Sequence, residues 1–353
     1  MVVAFTGRAQ GLPFGENLQD SGHIGAQNRA TMSHNPPPIA PALQPLLASA
    51  RPSRTALLCG IARARHQLLD GGEVFSDPLA LDILGPELAS QVHQWAHDHG
   101  PEGRLSDRGS FSEAMRGALA ARSRIAEDTL RAAVADGAIQ YVVLGAGLDT
   151  FALRRSQWPQ GLARVFEVDH PATQAWKQQL AGAAGLGMPA GASHVPVDFE
   201  RQDFMEQLLA CGLDPRERTV FAWLGVSMYL APAAVRATFA RIGARMAPGS
   251  VLVFDYVRRP APWELGRRLA LGLMARRFRR MGEPWHCFLA DAELQALLAE
   301  CGFAPADVIS AQDIMRTLLA ARPASRLQKA MGGLLGGVVR ARVAARSGTV
   351  SPP

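Results

Sequence analysis

An α/β fold with a mostly parallel, Rossmann-like sheet is what this sequence predicts, on three observations. Short apolar runs alternate with helical stretches between residues 139 and 256. Two glycines, Gly145 and Gly147, follow directly on the first run, and carboxylates stand at the ends of the next two, Asp169 and Asp198. Alternating strand and helix units imply a parallel sheet covered on both faces. Open sheets of this kind bind ligands beyond the carboxyl ends of their strands.

The elements follow in order. Residues 1–50 are rich in Gly, Pro, Ser and Asn, and SHNPPPIAP (33–41) suits neither helix nor strand, so a disordered leader is expected, with Met32 as a second candidate start. The main domain is expected over 51–322. Residues 55–69 have a helical pattern, and a turn follows at Asp70-Gly71-Gly72. Asp77-Pro78 opens a short helix, and 98–110 form a loop. A long helix over 111–135 stops at Asp136-Gly137. Strands are expected at IQYVVL (139–144), RVFEV (164–168), HVPV (194–197), TVFAWL (219–224) and 250–256, with crossover helices such as 172–184 and 232–246. A helix over 291–301 precedes two last candidate strands, 307–310 and 314–319. A basic, flexible tail over 323–353 closes the chain, with a weak amphipathic segment at 327–345.

Composition narrows the function. The chain has 353 residues, 48% apolar and 19% charged, enough for a full core. Neither a secretory pattern nor an apolar run of about 18 residues is present, so no membrane partner is expected and a cytoplasmic location is. The cysteines, Cys59, Cys211, Cys287 and Cys301, include no CxxC pair, and no metal site is expected. The net charge of +6 is almost wholly arginine, since Lys177 and Lys329 are the only lysines. Eight arginines fall within 258–280, with Glu264 the one acid among them. They suit a solvated helix, a lid over the substrate, or a contact for an acidic partner.

The chemistry centres on Tyr141-Val-Val-Leu-Gly145-Ala-Gly147-Leu-Asp149-Thr150. Glycines after a buried strand allow a sharp turn and a close backbone approach. A dinucleotide site normally continues to a third glycine, where Thr150 stands here, which weakens a dehydrogenase reading. An acid at the end of the second strand can accept hydrogen bonds from both ribose hydroxyls of a nucleoside. Glu167 and Asp169 both qualify, and the terminal Asp169 is favoured. Asp198 can accept from an adenine amino group while Phe199 packs on the base. An aspartate after a strand is also a common helix cap.

With these blocks in place, GAGLDT followed by Phe151-Ala-Leu-Arg154, VFEVDHP, VPVDF and WLGVSMYL together resemble the leucine carboxyl methyltransferase-like family. The match is closest to its bacterial S-adenosylmethionine-dependent branch, which includes polyketide O-methyltransferases, and it runs from about Thr55 to about Arg322. The resemblance implies a class I methyltransferase fold: a seven-stranded sheet with its last strand antiparallel. It also implies a cap made from N-terminal helices (55–135) and an insertion at 258–288. The cofactor would be S-adenosyl-L-methionine, bound through Gly145, Gly147, Asp169, Asp198 and Phe199, with Arg122 clamping its carboxylate. The expected reaction is O-methylation of a small-molecule carboxylate or hydroxyl, with no nucleic-acid partner. The alternatives are a non-catalytic nucleotide-binding protein and an NAD-dependent dehydrogenase. Tyr229 and His286 are the candidate catalytic residues, with Arg63 or Arg65 also on the acceptor side and Trp285 as a pocket wall. One departure stands out: where eukaryotic members carry a Glu after the fourth strand, this chain has Leu224. Oligomeric state is open.

Overall fold

The computed structural model describes residues 54–99, 111–199, 201–280, 283–318 and 337–345. The leader expected over 1–50 lies outside the described residues. The helices are α1 (Arg54–Leu69), α2 (Pro86–His99), α3 (Phe111–Ala135), α4 (Pro171–Ala183), α5 (Phe204–Ala210), α6 (Pro232–Arg245), α7 (Leu265–Arg280), α8 (Asp291–Glu300) and α9 (Ala311–Leu318). The strands are β1 (Gln140–Leu144), β2 (Arg164–Asp169), β3 (Ala192–Pro196), β4 (Thr219–Trp223), β5 (Val251–Tyr256), β6 (Asp307–Ser310) and β7 (Gly337–Arg342).

The strands form one sheet in the order β3-β2-β1-β4-β5-β7-β6. β1 to β5 are parallel, and β7 runs antiparallel to both neighbours. This is the class I methyltransferase arrangement that the resemblance implied. β1, β4 and β5 are buried at every position, as strands covered on both faces must be. Alternation sorts their side chains into two cores. Val142, Leu144, Phe166, Phe221, Trp223 and Phe254 face one layer of helices. Tyr141, Val143, Val165, Val220 and Val253 face the other, where α3 lays down Ala120, Ala121, Ile125 and Leu130. β3 pairs only with β2, and an edge strand tolerates Pro196 at its end.

The end of the chain differs from expectation. Ile314 lies in α9, not in a strand, and the last strand is Gly337–Arg342, inside the stretch read as a flexible tail. The sequence GVVRAR hides this because its valines and arginines also fit a weak helical stripe with the residues before them. Tertiary pairing decides it: Val338, Val339 and Ala341 are buried between β5 and β6, while Arg340 Nε reaches Asp307 on β6 at 3.0 Å.

Candidate functional site

β1 lies between β2 and β4, so successive connections leave its carboxyl end in opposite directions and open a crevice there. Gly145 and Gly147 turn the chain at that point with left-handed φ of 71° and 50°. A Cβ on Gly145 would come within 2.5 Å of a Val226 methyl, and one on Gly147 within 2.9 Å of the Ala56 methyl. The glycines therefore admit protein neighbours, the β4 loop and α1, as closely as they would admit a ligand.

Asp169 closes β2 beside this turn. Its Oδ2 accepts the Gly147 N–H at 2.6 Å and its Oδ1 accepts the His170 N–H at 2.6 Å. Glu167, the other acid on this face, is taken up elsewhere: Lys177 Nζ sits 2.7 Å from its Oε2, and His194 Nδ1 lies 3.4 Å away. Burial lifts the Glu167 carboxyl despite Lys177, and burial with Lys177 pushes His194 down to about 4. The next tip is contiguous, since the Val197 N–H donates to the Asp169 carbonyl at 2.9 Å. Asp198 follows, partly exposed, with its N–H donated to the Gln202 side chain, and Phe199 packs against the core near Phe204.

A buried ionic network fastens the back of the turn. Arg63 of α1 bonds Asp149 at 2.8 Å and the Leu148 carbonyl at 2.9 Å, and pairs with Asp77 at 3.0 Å. Thr150 donates to Asp77 at 2.6 Å and accepts from Arg154 Nε at 3.0 Å, while Arg154 Nη2 binds Glu127 of α3 at 2.5 Å. Burial alone would raise the Asp149 carboxyl, but Arg63, Lys177 and Arg154 hold it below the usual range. Thr150, where a dinucleotide fingerprint would place glycine, is thus a fully buried hub. Arg63 is engaged here, and Arg65 faces away, its guanidinium 3.9 Å from the centre of the Trp95 ring.

The far side of the crevice holds Arg122. Its Nη1 binds Asp255 of β5 at 2.7 Å, and its Nη2 lies 3.6 Å from Cys59 Sγ. Asp255 also accepts the Gly225 N–H at 2.6 Å. Sequence reading missed Asp255, although a lone aspartate near the end of an apolar strand, VLVFDY, is a visible signal. It places an acid one strand away from Leu224, which is partly buried against the α3 face of the sheet. Tyr229 is half-buried beside Trp285 in a small cluster with Met228, Val257, Leu271 and Met274. Burial, with Glu283 adding to it, raises the Tyr229 phenol well above its ordinary value. Glu283 in turn accepts from the Thr55 N–H at 3.1 Å and from its hydroxyl, which ties the start of α1 to the insertion. His286 is exposed, and its N–H donates to the Met228 carbonyl at 2.7 Å.

The donor set fits a nucleoside cofactor that ends in an amino acid: carboxylates at two adjacent strand tips, a backbone turn between them and the arginine, and the arginine across the crevice. Comparison with known proteins gives the chain's relatives. The model of the family described as "Leucine carboxyl methyltransferase" matches residues 56–243. A Bacillus subtilis (strain 168) protein, "Putative S-adenosyl-L-methionine-dependent methyltransferase YktD", is 30% identical over 281 residues, covering 74% of this chain and 90% of the relative. A Mycolicibacterium gilvum (strain PYR-GCK) protein of the same description is 38% identical, over 41% of this chain and 47% of its own length. Among solved structures, a "putative methyltransferase" of Thermobifida fusca YX aligns at a TM-score of 0.48 and 17% identity, covering 81% of this chain and 95% of that one.

Proposed function

The chain belongs to the leucine carboxyl methyltransferase family and is an S-adenosylmethionine-dependent methyltransferase, and on that premise we propose that it O-methylates a small-molecule carboxylate or hydroxyl. The dehydrogenase and non-catalytic readings give way to this family. In the proposed site Asp169 accepts from the ribose hydroxyls, and Asp198 and Phe199 take the adenine. The Gly145–Gly147 turn lines the methionine portion, and Arg122 clamps the cofactor carboxylate while Asp255 holds its guanidinium in place. The observation that carries this is the contact between the Gly147 N–H and Asp169 Oδ2, which brings turn and acid within one ligand's reach.

When bound, the cofactor supplies an electrophilic methyl group; the protein's part is to position the acceptor and exclude water. The raised Tyr229 phenol keeps its proton at neutral pH and does not serve as a base. That supports an acceptor that arrives already ionised. A carboxylate meets the requirement, whereas a hydroxyl would need a base, for which exposed His286 is the candidate.

Two measurements test the reading. Asp169→Ala is expected to weaken S-adenosylhomocysteine binding about 10- to 100-fold in calorimetric titration while the protein stays folded. Unchanged affinity overturns the ribose assignment. A panel of small carboxylates and phenols, assayed with labelled cofactor, is expected to give base-labile methyl esters that release methanol. Base-stable ethers alone would transfer the reading to a hydroxyl acceptor.

A further inference from the structure

α7 is apolar on two sides. Its inner face, with Leu271, Met274 and Phe278, packs on Met228, Val257 and Trp285. On the opposite side Leu265, Leu269 and Leu273 follow one another at four-residue spacing and are 71%, 68% and 58% exposed. Trp263, just before the helix, is 82% exposed. Single exposed leucines need no explanation, but a line of them about 12 Å long beside an exposed tryptophan does. The same outer surface carries Arg268, Arg276, Arg279 and Arg280, all exposed. α7 itself has no acidic residue. Glu264 is engaged by Arg258 and Arg267, and among the described residues no carboxylate pairs with those four arginines.

Charge decides what fits this face. A symmetric contact with a second copy would bring the arginines against themselves. The segments outside the described residues are poor in acids: 1–53 contain Glu16 and Asp20, 100–110 contain Glu102 and Asp107, and none follows Asp313. Nucleic acid would use the arginines but leave the leucines in water. An anionic bilayer surface uses both, with guanidinium groups at the headgroups and Leu and Trp side chains in the interfacial layer. We propose that the outer face of α7, with Trp263, docks this protein on an anionic lipid surface. The contact is peripheral, because no helix among the described residues is long and apolar enough to cross a membrane. It refines the expectation of no membrane partner, which rested on the absence of a span. The face is independent of the acceptor reading, although the inner side of the same helix abuts Tyr229.

The test is co-sedimentation of the full-length chain with vesicles of phosphatidylcholine alone and of phosphatidylcholine mixed with phosphatidylglycerol. Binding to the anionic vesicles is expected to be about tenfold or more stronger, and to weaken when salt is raised from about 0.1 to 0.5 M. Two variants, Leu265→Ser/Leu269→Ser/Leu273→Ser and Arg276→Gln/Arg279→Gln/Arg280→Gln, should each reduce it about tenfold or more. Their far-UV circular dichroism and S-adenosylhomocysteine affinity should not change. Because the chain beyond 318 is also basic, the leucine variant is decisive: undiminished vesicle binding by it overturns the proposal. So does a dimer in light scattering that only the leucine variant loses with no vesicle binding by the parent, or retention on nucleic acid with none on vesicles.

Discussion

Arginine does opposite things at two places in this molecule. Behind the glycine turn, Arg63 and Arg154 are buried, and carboxylates surround them: Asp77, Asp149 and Glu127. On α7, Arg268, Arg276, Arg279 and Arg280 stand in solvent with no carboxylate partner among the described residues. The difference follows from desolvation. A guanidinium taken out of water requires paired charges and filled hydrogen bonds, whereas an exposed one requires almost nothing and leaves its charge available to a partner. The first set therefore serves to lock α1, α3 and the glycine turn together, and the second leaves its charge at the surface.

Four expected outcomes break or sharpen this contrast. The largest is for Asp77→Ala, which takes one of two carboxylates from each of Arg63 and Arg154 and removes the acceptor of the buried Thr150 hydroxyl. It should cost about 3–5 kcal/mol in urea denaturation, and a loss under about 1 kcal/mol would mean that the network is not what holds the turn. Thr150→Val keeps the shape but removes the hydroxyl between Asp77 and Arg154. A loss of about 1–3 kcal/mol is expected by the same measurement.

The third outcome concerns pH. His194 is held down to about 4 in the fold against an ordinary 6.5, so between those values the unfolded chain takes up a proton that the folded chain refuses. Stability should therefore fall as pH drops through this window, and His194→Gln should flatten that slope. A slope identical in the variant assigns the acid sensitivity elsewhere. The smallest effect is for Arg276→Gln on α7, expected to shift stability by under about 0.5 kcal/mol. A larger loss would show that the outer arginines are structural after all.

Much of the geometry of the candidate site was legible because its signals are local. Gly145, Gly147 and Asp169 stand at strand ends that apolar periodicity locates unaided, and α3 begins and ends where its composition says. What was not legible involves partners distant in sequence. Arg122 reads as a helix arginine until Asp255, 133 residues away, is brought beside it. Thr150 reads as a missing glycine until Asp77 and Arg154 close on its hydroxyl. Among these, only Asp255 gave a warning, as a charge inside an apolar strand.

The amino-acid order by itself determined which segments between 139 and 256 become strands, where the chain turns at their tips, and which family's chemistry those tips resemble, because each depends on periodicity and residue type over a few positions. The folded arrangement decided which of Glu167 and Asp169 takes a charged partner from the next elements, since Lys177 and His194 close in on Glu167. It also inserted Gly337–Arg342 between β5 and β6, and it left one line of leucines on α7 facing water. The reason is common to all three: burial and charge pairing are set by whichever residues come to share a volume, and only the assembled layers fix those neighbours.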